Sequence, residues 1–200
     1  NGCNFFRVWL SPFWTTLAMN TTRSGGDAID LANAWRLDHV LESAERLGLR
    51  AMLCIDSFNI LRTKEKSPGN YEQAPYVRAL GGPLGKPLDY FTSPWSRKLY
   101  RDRLRYLVAR YGYSASVFAW EFWNEVDIID DYDSKTVVAW HRDMAQHLRA
   151  LDPWRHLITT SFASPQADPT LMALPDLDFA QPHFYGAKDI AKEHAERLPA

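Results

Sequence analysis

The 200-residue chain carries 23 Lys and Arg against 24 Asp and Glu, a formal net charge of −1, and 46% hydrophobic residues. That is enough apolar content for a globular core, and the charge is too low for a disordered chain. The same balance supplies no basic field for nucleic acid or anionic lipid. The longest uncharged stretch, Val8 to Thr22, is interrupted by Ser, Thr, Asn and Pro and is too short to cross a bilayer, so neither a nucleic-acid nor a membrane partner is expected.

Eight Trp, nine Tyr and ten Phe exceed what a core needs and point to flat stacking surfaces. Cys3 and Cys54 cannot form a disulfide scaffold or a zinc site of usual spacing. Both sit in apolar runs and read as buried thiols, a single bridge between them being the alternative. The first residue is Asn1, with no charged leader before the first apolar run, so a processed or excised piece is expected.

The elements alternate in type. Phe5 to Leu10 (FFRVWL) reads as a strand, ended by Pro12. From about Ile29, apolar residues at Leu37, Val40, Leu41, Ala44 and Leu47 mark a helix that stops at Gly48. Arg50 to Asp56 (RAMLCID) reads as a buried strand. Ser57 to Thr92, rich in Pro and Gly, reads as a long loop, functional or mobile. Ser93 and Pro94 supply an N-cap and first-turn proline for a helix with an apolar face at Tyr100, Leu104, Leu107, Val108 and Tyr111. Arg97, Lys98, Arg101, Arg103 and Arg105 are expected on its solvated face.

Val117 to Trp123 is the next strand, and Val137 to Leu151 the next helix, ending before Pro153. His156 to Ser161 (HLITTS), a short helix near Thr170 to Leu174, a strand from Leu177 to Tyr185 and a helix from Ala187 to Arg197 complete the pattern. Strands separated by helices of this length are parallel. A doubly wound nucleotide binder requires a glycine-rich turn after its first strand, whereas Leu10 to Trp14 reads LSPFW. A (β/α) barrel is therefore favoured, with residues 1–200 forming one domain.

The segment richest in chemistry is Trp120 to Asp127 (WEFWNEVD), where a bulky strand ends in Asn124-Glu125. Period-two alternation would put Glu121, Trp123 and Glu125 on one face, with Glu125 at the carboxyl end, where parallel barrels build their active sites. The six His are scattered, with neither His-x-His after the first strand nor His-Glu-x-x-His, which argues against a metal-dependent hydrolase. Asp127, Asp130, Asp131 and Asp133 lack the glycine and terminal Glu of a calcium loop and read as a solvated loop. No metal or cofactor is implied.

Here the sequence resembles a family. Trp120 to Asp127 is similar to the strand-four signature of the (β/α)8-barrel clan of retaining glycoside hydrolases that includes family 5 cellulases and β-mannanases. FFRVWL resembles barrel strand two with its inward Arg, RAMLCID strand three, and QPHFYG strand six with its His and Tyr. Tyr106 to Trp120 resembles the approach to strand four. The resemblance implies a partial TIM barrel of about five parallel β/α units, incomplete at both ends, and a β-linked carbohydrate substrate of β-mannan or β-glucan type.

By the same resemblance, Glu125 matches the general acid and base, which needs a raised pKa, and Asn124 the residue that binds the sugar 2-hydroxyl. Arg7 matches the arginine that orients the nucleophile, its rival role being an interior charge paired with Glu121. His183 and Tyr185, two apart and so on one strand face, match the pair lining the site beside that nucleophile. Trp9 and Trp123 are candidate sugar platforms, with core packing as the rival for both and for Trp14. Many relatives carry a His after strand three, where this chain has Ser57-Phe58-Asn59. The nucleophile is implied on strand seven, beyond residue 200, with Glu193 and Glu196 in the last helix not substitutes. The chain alone is therefore expected to be inactive. A non-catalytic or decayed sugar-binding barrel is the alternative, and the resemblance is compatible with a secreted or periplasmic protein.

Overall fold

The computed structural model describes residues 2–12, 17–20, 28–66, 69–164, 166 and 168–197; Trp14 lies outside them. Five strands form one sheet, β1 (Phe5–Trp9), β2 (Arg50–Ser57), β3 (Val117–Asn124), β4 (Leu157–Phe162) and β5 (Phe179–Pro182), paired in chain order and all parallel. Helices α1 (Leu31–Arg46), α2 (Asp89–Thr92), α3 (Pro94–Tyr111), α4 (Ser134–Leu151), α5 (Pro169–Met172) and α6 (Ile190–Arg197) lie between or after them. Every crossover returns the chain to the same edge, so all carboxyl ends of the strands meet on one side. Among the described residues no helix is long and apolar enough to cross a membrane.

Local chemistry sets the element ends. The Asp30 and Asp133 carboxylates accept the backbone N–H of Asn33 and Thr136, at 3.2 and 2.8 Å, capping α1 and α4. Gly48, at φ +66°, takes the left-handed turn that follows α1. Ser93 precedes Pro94 as expected, but its side chain makes no cap; only its carbonyl enters the helix, accepting from Arg97 N at 3.1 Å.

The core lies between the sheet and the helices and is built around aromatic rings. Trp140 of α4 meets Tyr100 of α3, Phe91 of α2, and both Phe122 and Trp123 of β3, with ring centroids 4.6 to 6.2 Å apart. Offset and edge-on contacts of this kind are the favoured aromatic geometry.

Several expectations are corrected. The stretch from Ser57 to Thr92 is not featureless loop. It holds 3-10 turns at Phe58–Leu61, Tyr71–Gln73 and Arg78–Leu80, and then α2. Buried Tyr71, Tyr76, Leu84, Tyr90 and Phe91 anchor it to the core. Gly82 is required there, because a Cβ would lie 2.0 Å from the Tyr76 carbonyl carbon.

The basic run of α3 is not a uniformly solvated face either. Arg103 is buried and pairs with buried Asp56 at 2.8 Å, while Arg97 and Arg101 both hold Asp143 of α4. Only Lys98 and Arg105 of the five are strongly exposed. Both cysteines are free, and Cys3 is exposed, because it precedes β1 where residues 2–5 are all open to solvent.

The acidic stretch after β3 likewise ties loops together. Asp127 accepts Ala163 N–H at 2.7 Å, and buried Asp130 accepts both the N–H and the hydroxyl of Thr63, at 3.0 and 2.7 Å. Lys66 pairs with Asp130 at 3.0 Å.

Candidate active site

The site forms where the carboxyl ends of β3, β4 and β5 converge. Glu125 is the first residue past β3 and adopts a left-handed conformation, φ +52° and ψ +51°. For a residue with a Cβ this costs about 1–2 kcal/mol. The turn takes Glu125 out of the strand's alternation, and its backbone N–H is accepted by the Ser161 hydroxyl of β4 at 3.0 Å.

Its carboxyl is buried and meets two groups that follow β5. His183 Nδ1 lies 2.6 Å from Oε1, and the Tyr185 hydroxyl donates to the same oxygen. These two side chains are not on a strand face as expected. Pro182 ends β5, since it offers no N–H to the ladder, and the following residues turn toward Glu125. The His183 N–H still reaches the Phe162 carbonyl at 2.8 Å, which fixes the start of that turn.

Burial pushes the Glu125 carboxyl up, but the hydrogen bonds from His183 and then Tyr185 outweigh it, and its pKa lies below the ordinary glutamate value. This corrects the expected raised pKa. Two donors focused on one oxygen favour the charged form more than partial burial disfavours it. The Tyr185 hydroxyl is pushed up to about 12, by burial and by the carboxylate it serves.

Beneath Glu125 lies an ionic network on the sheet face away from the helices. Arg7 of β1 grips Glu121 of β3 with two bonds, Nε to Oε2 at 2.6 Å and Nη2 to Oε1 at 2.5 Å. Its Nη2 also donates to Asn124 Oδ1 at 2.8 Å, with Ser161 Oγ at 3.4 Å. The pairing of Arg7 with Glu121 is thus realised. Glu121 has no exposed side-chain surface, so its charge is fully committed to Arg7.

Strict alternation fails near the strand ends. Glu121 and Asn124, three positions apart, both face Arg7, while Trp123 turns toward the helices. Strand β2 rotates in step: Cys54 lies 3.7 Å from Arg7, yet Asp56 two residues later pairs with Arg103. The register couples the two strands, with Asp56 opposite Trp123 and Ser57 opposite Asn124.

The two tryptophan candidates separate accordingly. Trp9 is 38% exposed, with Arg7 5.7 Å from its ring centre, and offers an open face at the strand end. Trp123 has no exposure and is enclosed by Tyr90, Phe91 and Trp140, so it is a core residue that no ligand can reach. Beside His183 and Tyr185 opens a cavity of about 280 Å³, rimmed by Ala163, Ser164, Gly186 and Glu193.

The arrangement thus joins a buried, strand-end carboxyl with two donors, an adjacent amide and a nearby cavity. The profile of cellulase (glycosyl hydrolase family 5) matches residues 1–198. This chain belongs to glycosyl hydrolase family 5.

As a family 5 chain it is similar to mannan endo-1,4-beta-mannosidase A of Aspergillus aculeatus, 31% identical over 149 residues, which span 73% of this chain and 35% of that protein. It is also similar to mannan endo-1,4-beta-mannosidase 1 of Oryza sativa subsp. japonica, 26% identical over 147 residues, 64% of this chain and 32% of that one. Among solved structures, the endo-beta-1,4-mannanase from Thermotoga petrophila superposes with a TM-score of 0.63 at 18% identity, over 88% of this chain and 45% of that chain. This family 5 chain spans about a third of the length of these curated relatives. Its five parallel β/α units are part of a (β/α)8 barrel.

Two residues that touch this site had no role assigned from the sequence: Ser57, noted only where many relatives carry a histidine, and Ser161. A serine at a strand end carries no pattern of its own. Only the register that sets Ser57 opposite Asn124, and the turn that brings Glu125 over β4, give them partners.

Proposed function

We propose that the protein containing this chain hydrolyses β-1,4-linked mannan by a retaining double displacement, with Glu125 as general acid and base. The observation that carries the reading is the placement of Glu125, buried in a left-handed turn at the carboxyl end of β3 with His183 and Tyr185 on its Oε1. Family membership supports glycoside hydrolysis, and the mannosidase names of the relatives favour mannan over glucan.

In the first step Glu125 protonates the departing glycosidic oxygen while a second carboxylate attacks the anomeric carbon. In the second step ionised Glu125 takes a proton from the water that hydrolyses the glycosyl-enzyme. The low pKa of Glu125 suits the second step. The first needs a nearby negative charge to raise it, and the nucleophile, about 5 Å away in retaining enzymes, is that charge. Glu121 is not that nucleophile, because Arg7 holds both of its oxygens and it has no exposed surface. The family resemblance assigns the nucleophile to barrel strand seven.

Asn124 contacts the sugar 2-hydroxyl, an interaction that strengthens in the oxocarbenium-like transition state. Arg7 fixes that amide by binding Oδ1, and Trp9 supplies a stacking face for a pyranose ring.

The deciding experiment is hydrolysis of β-1,4-mannan by the full-length protein and its Glu125→Gln variant, with the anomeric configuration of the first product followed by NMR. The variant should fold normally and lose about 10²–10⁴-fold in kcat, and the parent should release product with retained configuration. Near-normal mannan turnover by the variant would remove Glu125 from its role. Inverted product would overturn the retaining mechanism, and a parent inert on mannan and glucan alike would favour the sugar-binding barrel.

A further inference from the structure

We propose that two buried serines, Ser57 at the end of β2 and Ser161 of β4, are positioning residues that clamp Asn124 and Glu125 from the two flanking strands. The inference rests on the roles proposed above for that pair. Neither serine has any exposed surface, so each hydroxyl must find its partners within the protein or be left desolvated without one.

Ser161 serves the backbone. The β3–β4 ladder pairs Ala119, Trp120 and Glu121 with Leu157, Ile158 and Thr159 and goes no further. The Glu125 N–H therefore gets its partner from a side chain, Ser161 Oγ at 3.0 Å. The same hydroxyl lies 3.4 Å from the Trp123 carbonyl and 3.4 Å from Arg7 Nη2. It ties the backbone on both sides of Asn124 to the Arg7 network. This contact opposes relaxation of Glu125 out of its left-handed conformation, which would swing the carboxyl away from His183 and Tyr185.

Ser57 serves the side chain. Its hydroxyl accepts from Asn124 Nδ2 at 3.3 Å and donates to Asn59 Oδ1 at 2.7 Å. With Arg7 on Oδ1, both ends of the Asn124 amide are defined, since a flipped amide would turn its NH₂ toward a guanidinium and its oxygen toward Ser57. One Nδ2 hydrogen is spent on Ser57 and the second is left to donate to a ligand hydroxyl. The segment Ser57-Phe58-Asn59, where many relatives carry a histidine, thus acquires a role of its own.

Alanine at either position preserves packing and removes only the hydroxyl. In the full-length enzyme, Ser161→Ala should lower kcat about tenfold or more while KM stays within about twofold, because the carboxyl and not the sugar contact is displaced. Ser57→Ala should lower turnover of a mannoside by about tenfold but leave a 2-deoxy analogue nearly unaffected, because only the former uses Asn124. Serines that merely fill space would give unchanged kcat and an unchanged ratio between the two substrates, and that result overturns the proposal. Crystal structures of the two variants decide the matter without any activity. Glu125 should leave φ near +52° in Ser161→Ala, and the Asn124 amide should rotate in Ser57→Ala. If both stay as they are, the clamp is refuted even where the mannan reading holds. If they move while the parent protein is inert on mannan, the clamp stands and the functional reading fails.

Discussion

His183 Nδ1 and Glu125 Oε1 lie 2.6 Å apart although 58 positions separate them in the chain. The contact joins the turn after β5 to the turn after β3 across the end of β4, so it exists only when three strands are in register. It also sets the charge of the carboxyl, since the bond to His183 is the largest influence opposing the effect of burial.

Replacing His183 should therefore raise the pKa of Glu125. In His183→Ala, carboxyl carbon NMR should show Glu125 titrating at higher pH than in the parent, with Tyr185 retaining part of the depression. The sign for stability follows from linkage. A carboxyl depressed in the folded state contributes stability that is present above its unfolded pKa and is lost as pH falls through the folded value. His183→Ala should thus be less sensitive to acid unfolding in that window than the parent, and an equal or steeper acid dependence would contradict the assignment.

The buried pair behind β2 is a second target. Arg103 donates to Asp56 at 2.8 Å and Tyr90 donates to the other oxygen at 3.0 Å. Burial pushes the Asp56 carboxyl up while Arg103 opposes it. Arg103→Ala leaves that acid buried with one partner fewer and should cost about 3–5 kcal/mol in urea unfolding. Replacing both residues with apolar ones of similar size should recover most of the loss. If the single variant unfolds within about 0.5 kcal/mol of the parent, the pair contributes little.

His141 predicts a distinct pH dependence. It is fully buried on α4, with Nδ1 2.9 Å from the Val137 carbonyl and Nε2 3.2 Å from Thr160 Oγ1, and burial pushes its pKa down to about 4. Between pH 4 and the ordinary histidine value near 6.5 the unfolded chain takes up a proton that the folded chain refuses. Stability should fall across that window as pH is lowered, by at most about 1.4 kcal/mol per pH unit. Denaturation series for the parent and His141→Gln check this, and the slope should flatten in the variant.

Trp9 and Trp123 should behave in opposite ways. Trp9→Ala should leave unfolding nearly unchanged and raise KM for mannan oligosaccharides roughly 2- to 10-fold, the worth of one stacking contact of about 0.5–1.5 kcal/mol. Trp123→Ala empties a site enclosed by three rings and should destabilise by about 3–5 kcal/mol. A binding loss without destabilisation at Trp123 would be incompatible with its burial.

The sequence by itself determined the alternation of the main strands and helices, the parallel sheet and the strand-end position of Glu125. Those features are local: apolar periodicity, Gly48 as a stop, and strand–helix alternation that leaves a parallel sheet as the outcome. The resemblance of its motifs to those of the glycoside hydrolase barrels also marked Arg7, Asn124, His183 and Tyr185 as candidates.

Only the tertiary structure decided which way those side chains point and what surrounds them. Trp123 was expected beside Glu121 on one face, but β2 and β3 rotate together near their ends and send it into the core. Arg103 was counted with a solvated face, yet it is buried and paired with Asp56 of β2. Ser161 carried no signal, and Ser57 only the absence of a histidine, since a single hydroxyl becomes informative only when register supplies its partner. The direction of the Glu125 shift within this chain was illegible for the same reason. A pKa is the sum of burial and of every donor within reach, and the donors on Glu125 come from a turn 58 residues away.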